Sequence, residues 1–152
     1  MQKNNMSFLK NLTTVADART ARASSWDQSG RNKDYWLVNA GDTAVMADIE
    51  GPGVIQHIWI TVDSKTSEGD CFVLRDLIMR MYWDGEENPS VEVPLGDFFC
   101  CGFGQECIVN SAIITVVPSR GLNSYFAMPF HKHARITIEN QHKNPIPAFL
   151  SD

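Results

Sequence analysis

Residues 77–104, LIMRMYWDGEENPSVEVPLGDFFCCGFG, constrain the fold more than any other stretch of this chain. Leu77, Met79, Met81 and Trp83 recur at every second position, with Ile78, Arg80 and Tyr82 between them. Successive side chains of a strand point to opposite faces, so this period predicts a strand with one face in a core and one half exposed. Asp84-Gly85 opens a turn. Beyond it Val91, Val93 and Leu95 alternate with Glu92 and Pro94. The two runs predict an antiparallel hairpin, 77–83 with 91–95, joined by about six or seven residues. Proline has no backbone N–H to donate, so Pro94 puts the second run at a sheet edge or ends it there. Gly96-Asp97-Phe98-Phe99 then sets one carboxylate among aromatics, and Gly85, Gly96, Gly102 and Gly104 let the backbone turn closely around it.

The rest of the chain reads in the same way. Thr43 to Ile49 is a strand ended by the turn signal Glu50-Gly51-Pro52-Gly53. Residues 54–62, VIQHIWITV, read as a β-branched strand with His57 and Trp59 on the face of Ile55. A charged loop occupies 63–70, and 72–83 and 107–117 read as strands, the latter stopped by Pro118. Residues 119–124 read as a turn-rich connector and Tyr125 to Phe130 as a short aromatic strand. Ala134 to Glu139 alternates, with Ile136 and Ile138 inward and Arg135, Thr137 and Glu139 outward. About eight short strands at regular spacing predict an all-β sandwich of the jelly-roll or Greek-key kind. Residues 1–25 form a leader, in which Phe8, Leu9, Leu12 and Val15 have the spacing of a short amphipathic helix. Residues 26–152 form one jelly-roll domain. Ile146-Pro147-Ala148-Phe149-Leu150 opens an apolar strand without an evident partner just before Asp152, so the sequence is expected to be the front part of a longer whole.

With 152 residues of which 43% are hydrophobic, a single domain with a true core is expected. A net charge of −5 and a pI near 5.3 argue against nucleic-acid and anionic-membrane partners, which require a basic surface. Cys71, Cys100, Cys101 and Cys107 contain no CxxC pair and read as reduced, mostly buried thiols of a cytosolic protein. The N-terminus lacks the apolar core of a signal peptide and no run approaches membrane-spanning length, so a cytoplasmic location is expected.

Candidate chemistry is sparse. There is no GxSxG, HExxH, P-loop or GxGxxG, and neither a cofactor nor a metal is expected. Glu86 and Glu87 are adjacent, but they sit in the hairpin turn and neighbouring side chains there point apart. His131 and His133 share a strand face but lack a third ligand. Trp26, Tyr35 and Trp36 crowd a polar segment with more apolar area than a solvated loop carries. They read either as a plug for the end of the sandwich or as a sugar platform, in which aromatic faces stack on sugar C–H faces while Asp27, Arg31, Asn32 and Asp34 bond hydroxyls. Asp97 is the best single carboxylate, read either as a ligand or as a turn residue bonding the backbone of its glycine-rich loop.

Five segments carry a family resemblance: SSWDQSGRNKDYW, IEGPGVIQHIWIT, LRDLIMRMYWDGEENPSVEVPLGDFF, RGLNSYFAMPF and ARITIEN. Over roughly residues 8–150 the chain resembles the first half of glycoside hydrolase family 172, formerly the domain of unknown function 2961. That family includes difructose-dianhydride synthase/hydrolase, an α-fructofuranosidase, and α-arabinofuranosidases. The resemblance implies a double jelly roll of which this chain is the first half, trimers or larger homo-oligomers, an active site near subunit boundaries and a retaining mechanism with two glutamates. The Gly-Thr-Glu-Asp-Tyr motif tied to one catalytic glutamate belongs to the second jelly roll and does not occur here. The resemblance therefore implies no catalytic residue in this chain and a saccharide partner met through Trp26 by stacking, through Asp27, Arg31 and Asn32 by hydrogen bonds, and through Asp97 and Asn123 from loops at one end of the sandwich. Three functions follow: a piece of a furanosidase-type glycoside hydrolase inactive alone, a sugar-binding module without catalysis, or a structural jelly roll acting through assembly.

Overall fold

The computed structural model describes residues 17–66, 69, 72–117 and 121–151. The helix expected over Phe8–Val15 lies outside them. The predicted hairpin is present as β5 (Leu77–Trp83) and β6 (Val91–Pro94), antiparallel, with Met79 opposite Val93 and Arg80 opposite Glu92. Leu77, Met79 and Met81 are fully buried, and Ile78, Arg80 and Tyr82 are half-buried on the other face. β6 is an edge strand and ends on Pro94, as a residue without a ladder donor requires.

Among the described residues, three antiparallel sheets make the fold. One has four strands in the order β2 (Thr43–Glu50), β11 (His133–Asn140), β5, β6. A second has six: β1 (Trp36–Val38), β12 (Ile146–Ser151), β4 (Ile58–Thr61), β9 (Gly121–Ser124), β8 (Ile114–Val117), β7 (Val109–Asn110). A two-stranded piece, β3 (Gly53–Ile55) with β10 (Met128–Phe130), completes it. The run β2–β3–β4 lies antiparallel to β9–β10–β11, pairing β2 with β11, β3 with β10 and β4 with β9. This double ribbon passes from one sheet to the other, and a single core forms between the sheets. Met46, Met79, Met81, Ile136 and Ile138 face it from the four-stranded sheet, and Ile58, Ile60, Ile114, Val116, Leu122 and Ile146 from the six-stranded one. The molecule is an all-β sandwich, as the alternation predicts.

Several segment readings are corrected. The 54–62 segment is two strands, because the chain changes sheets at Gln56-His57; Ile55 and Ile58, three apart, both point into the core. Residues 73–76 form a helical turn, α1 (Val73–Asp76), and a second, α2 (Leu95–Phe98), follows β6. The 107–117 segment is a hairpin, β7–β8, turned by Ser111, whose hydroxyl accepts from Ile114 N at 2.9 Å and donates to Ile114 O at 2.8 Å. The 119–124 connector contains β9, a strand paired on both sides. Thr137 points outward by register but is 2% exposed, opposite Arg80, and its hydroxyl has no hydrogen-bond partner among the described residues. The apolar segment at 146–150 is not without partners: β12 lies between β1 and β4.

Asp84 does more than open a turn. It adopts φ +54°, and its carboxylate accepts from the peptide N–H groups of His131, Lys132 and His133 at 2.9, 2.6 and 3.2 Å. One side chain thus fastens the β5–β6 turn to the corner where β10 passes into β11. These donors, Lys132 N–H foremost, hold its pKa below the ordinary carboxylate value.

Candidate functional site

The segment Ser25–Asp34 builds itself around Asp27. Its carboxylate accepts from Ser29 N at 2.8 Å, Ser29 Oγ at 2.6 Å, and Arg31 N and Lys33 N at 3.1 Å each. Those bonds, the Ser29 hydroxyl first, lower its pKa. Asp34 returns the favour by accepting from Asp27 N at 2.8 Å, while Ser25 Oγ donates to Asp34 O at 2.7 Å. A carboxylate offers about four acceptor positions, and four donors occupy those of Asp27. What the loop presents outward is the Trp26 ring, 60% exposed, with exposed Arg31 and with Asn32 in the left-handed region at φ +61°. Trp36, by contrast, packs against the core, and Tyr35 lies under the Lys33 ammonium at 5.5 Å. The aromatic cluster is therefore divided, with Trp36 packed against the core and Trp26 exposed.

Asp97 sits in α2 and is ion-paired with Arg75 of α1, whose guanidinium also reaches Gly102 O at 3.4 Å. The pair joins the two helical turns and braces the start of the glycine-rich loop.

Asn123 lies elsewhere, on the outer face of the six-stranded sheet. Leu122 and Ser124 on either side of it point inward, so the alternation of β9 turns its amide out. In register, Asn123 stands between Trp59 of β4 and Thr115 of β8. His57 Nε2 lies 3.1 Å from its Oδ1, and its Nδ2 donates to Thr115 O at 3.4 Å. The His57 ring stacks on Tyr125 with centroids 4.7 Å apart and planes 14° from parallel. His57 stands at the joint just before β4, and Trp59, the outward residue of β4, follows two positions on. The result is a stacked His57–Tyr125 pair with the Asn123 amide bonded to it and Trp59 beside that amide in register. Sequence reasoning singled out Asn123 but missed His57, Trp59 and Tyr125 as its companions. Asp27 bonds residues of its own loop, Asp97 pairs with Arg75, and Asn123 bonds His57 and Thr115.

Other features are poor in chemistry. An apolar cavity of about 20 Å³ between Ala23, Met46, Ile55, Ile58 and Ile136 has room for about one water and little polar lining to hold it. Glu92 and Glu139 both bind Arg80, at 2.5 and 2.6 Å, and the guanidinium lowers the pKa of Glu139. His133 is paired with Asp48, and no three His, Cys, Asp or Glu side chains gather into a metal site among the described residues. No helix among them is long and apolar enough to cross a membrane.

The GH172 domain-like family model matches residues 28–148, well over half of the chain. The chain belongs to that family. No curated protein matches it. Membership relates this GH172 domain-like chain to glycoside hydrolases. Arg31, Asn32, Asp97, Asn123 and the His57–Trp59–Tyr125 block fall inside the matched span, while Trp26 and Asp27 stand just before it.

Proposed function

We propose that this chain is the N-terminal jelly-roll portion of a furanosidase-type glycoside hydrolase, contacting a fructose- or arabinose-containing saccharide without supplying the catalytic pair. The observation that carries this reading is the outward aromatic block around Asn123 in a chain of a glycoside-hydrolase-related family. Ring faces take sugar C–H faces, and the amide and the Thr115 row offer hydrogen bonds to hydroxyls. Trp26 with Arg31 and Asn32 is a second contact of the same chemistry. A retaining pair would need two carboxyls about 5–5.5 Å apart across the scissile bond, one of them with a raised pKa. Glu92 and Glu139 share Arg80 instead, which keeps Glu139 ionised and unsuited to donate a proton. Glu86 and Glu87 are solvent-exposed in the hairpin turn.

Calorimetric titration of the purified chain with fructo- and arabino-oligosaccharides should show saturable binding. Asn123→Ala and Trp59→Ala should each weaken it about tenfold, equivalent to about 1.4 kcal/mol, with unchanged circular dichroism. Affinity that neither substitution moves would remove the block from the site. Turnover of an aryl α-arabinofuranoside by the chain alone would show that it carries a catalytic pair after all.

A second reading, assembly, has its own observation. Phe103 is 94% exposed and Ile108 78%, with exposed Phe72 beside Gly104. Phe103 and Ile108 both lie on the segment between α2 and β7, and large exposed apolar side chains on one segment favour an interface at that end of the chain's fold. The occupant we assign is further copies of the chain, in a trimer or a multiple of it. Sedimentation velocity at rising concentration should show the oligomer, and Phe103→Ser with Ile108→Ser should shift it to monomer. A parent chain that stays monomeric throughout would refute assembly through this end.

A further inference from the structure

The loop between α2 and β7 contains two sulfurs in contact. Cys101 Sγ and Cys107 Sγ are 3.8 Å apart. Cys101 is 1% exposed, and its N–H and C=O are both engaged, with Gly96 O at 2.6 Å and Gly104 N at 3.0 Å. Cys107 is exposed, and so is Cys100, against the expectation that these thiols are mostly buried. The Cys107 thiol points back over the loop, 3.5 Å from Cys100 O. One sulfur is thus fixed in the core and the other reaches it from solvent, with only the five residues 102–106 between them, of which Gly102, Phe103 and Gln105 are exposed.

We infer that Cys101 and Cys107 are an oxidation site, closing to an intramolecular disulfide that ties the start of β7 to the end of α2. The inference is independent of saccharide binding. A disulfide needs sulfurs about 2.05 Å apart, so closure asks for side-chain rotation within a loop rather than movement of a sheet. The oxidant is a peroxide. The Cys107 sulfur attacks the terminal oxygen of a hydroperoxide; the O–O bond breaks, and an alcohol or water leaves with the Cys107 proton. The Cys101 sulfur then attacks the Cys107 sulfur; the S–S bond forms, the S–O bond breaks, and hydroxide leaves as water with the Cys101 proton. Two thiols lose two electrons and the peroxide gains them. The order follows from access, since peroxide reaches Cys107 and not Cys101, and from acidity, since burial pushes the Cys101 thiol up to about 11. Cys100 neighbours Cys101 directly in the chain, where a shared disulfide would be strained.

The test uses the full chain, tert-butyl hydroperoxide, blocking of remaining thiols under denaturing conditions, and cleavage after Glu106, which separates Cys101 from Cys107. After peroxide the two fragments should stay joined in the parent and in Cys100→Ser, two hydrogens lighter than the sum of their reduced masses once the blocking group on Cys100 of the parent is counted, and separate on reduction. In Cys107→Ser they should not join. Separate fragments in the peroxide-treated parent would overturn the inference, whether the thiols stay reduced or Cys107 carries on to a sulfinic acid. A bond routed through Cys71 or Cys100 would overturn it too.

Discussion

Gly96→Val should cost about 3 kcal/mol of stability, seen as a lower urea midpoint with an unchanged slope. Gly96 is buried where α1 and α2 meet. A β-carbon there would lie 2.9 Å from Cys101 O, 3.0 Å from Leu74 Cβ and 3.2 Å from Leu74 O. Two of these three neighbours are backbone oxygens, and Cys101 is held on both sides by hydrogen bonds to Gly96 O and from Gly104 N. Nothing flexible can yield, so the two helical turns must separate. Their separation opens the core around Leu74, Leu95 and Phe99, all fully buried. Gly30→Ala is the contrasting case. Its β-carbon would meet nothing within 4 Å, but the residue adopts φ +71°. The cost there is conformational alone, about 1–2 kcal/mol. A Gly96→Val midpoint equal to that of the parent would show that α1 and α2 do not pack as described.

Which elements were legible in the sequence follows from how each meets the core. β5, β6 and β11 keep their alternation along an unbroken run, which marks them, whereas β2 carries a bulge at Met46, next to buried Ala47, and is marked by the turn signal that ends it. Alternation fails where a run changes sheets, since Ile55 and Ile58 both point inward across the Gln56-His57 joint. It fails again where a turn is built without glycine or proline: the β7–β8 hairpin relies on the Ser111 hydroxyl inside an otherwise strand-like stretch. β9 is hidden for the opposite reason. Gly-Leu-Asn-Ser carries a single apolar inward residue, Leu122, and its place in the sheet is settled by hydrogen bonds to β4 and β8. Four-residue helical turns such as α1 and α2 are too short to show a period of 3.6.

The site divides along the same line. The bonds that occupy Asp27 come from residues two to six positions ahead, the pattern of a short polar side chain folding its own loop, and that much can be read locally. Asn123 and His57 are 66 residues apart, and only the register between β4 and β9 brings them into contact. Arg75 and Asp97 meet across the whole β5–β6 hairpin. Residue type could nominate Asn123 and Asp97. Their partners required the strand order.

Asn140→Asp should destabilise the fold by about 4 kcal/mol near neutral pH, although it exchanges one amide nitrogen for oxygen. Asn140 is fully buried at the end of β11. Its Nδ2 donates to Val38 O and to Asn144 O, each at 2.9 Å, and its Oδ1 accepts from His142 N at 2.9 Å. Its peptide group also bonds Asp42 O at 2.9 Å and Gly41 N at 2.8 Å. One residue therefore ties the end of β1, the β1–β2 turn and the β11–β12 turn together. An ionised carboxylate keeps the His142 bond but sets an oxygen against two carbonyl oxygens, which lose their donor at about 1–3 kcal/mol each. A protonated carboxyl regains one O–H donor. The folded state of the variant thus favours the protonated form, and the aspartate pKa rises above its unfolded value of about 3.9. A raised folded pKa means that the folded state binds more protons, so stability falls as pH rises through it and recovers as pH falls. Urea midpoints near pH 5 and near pH 7, each referred to the parent at the same pH, should show the smaller loss near pH 5. A loss of equal size at both values, or no loss at all, would mean that the Asn140 amide does not hold these three segments together.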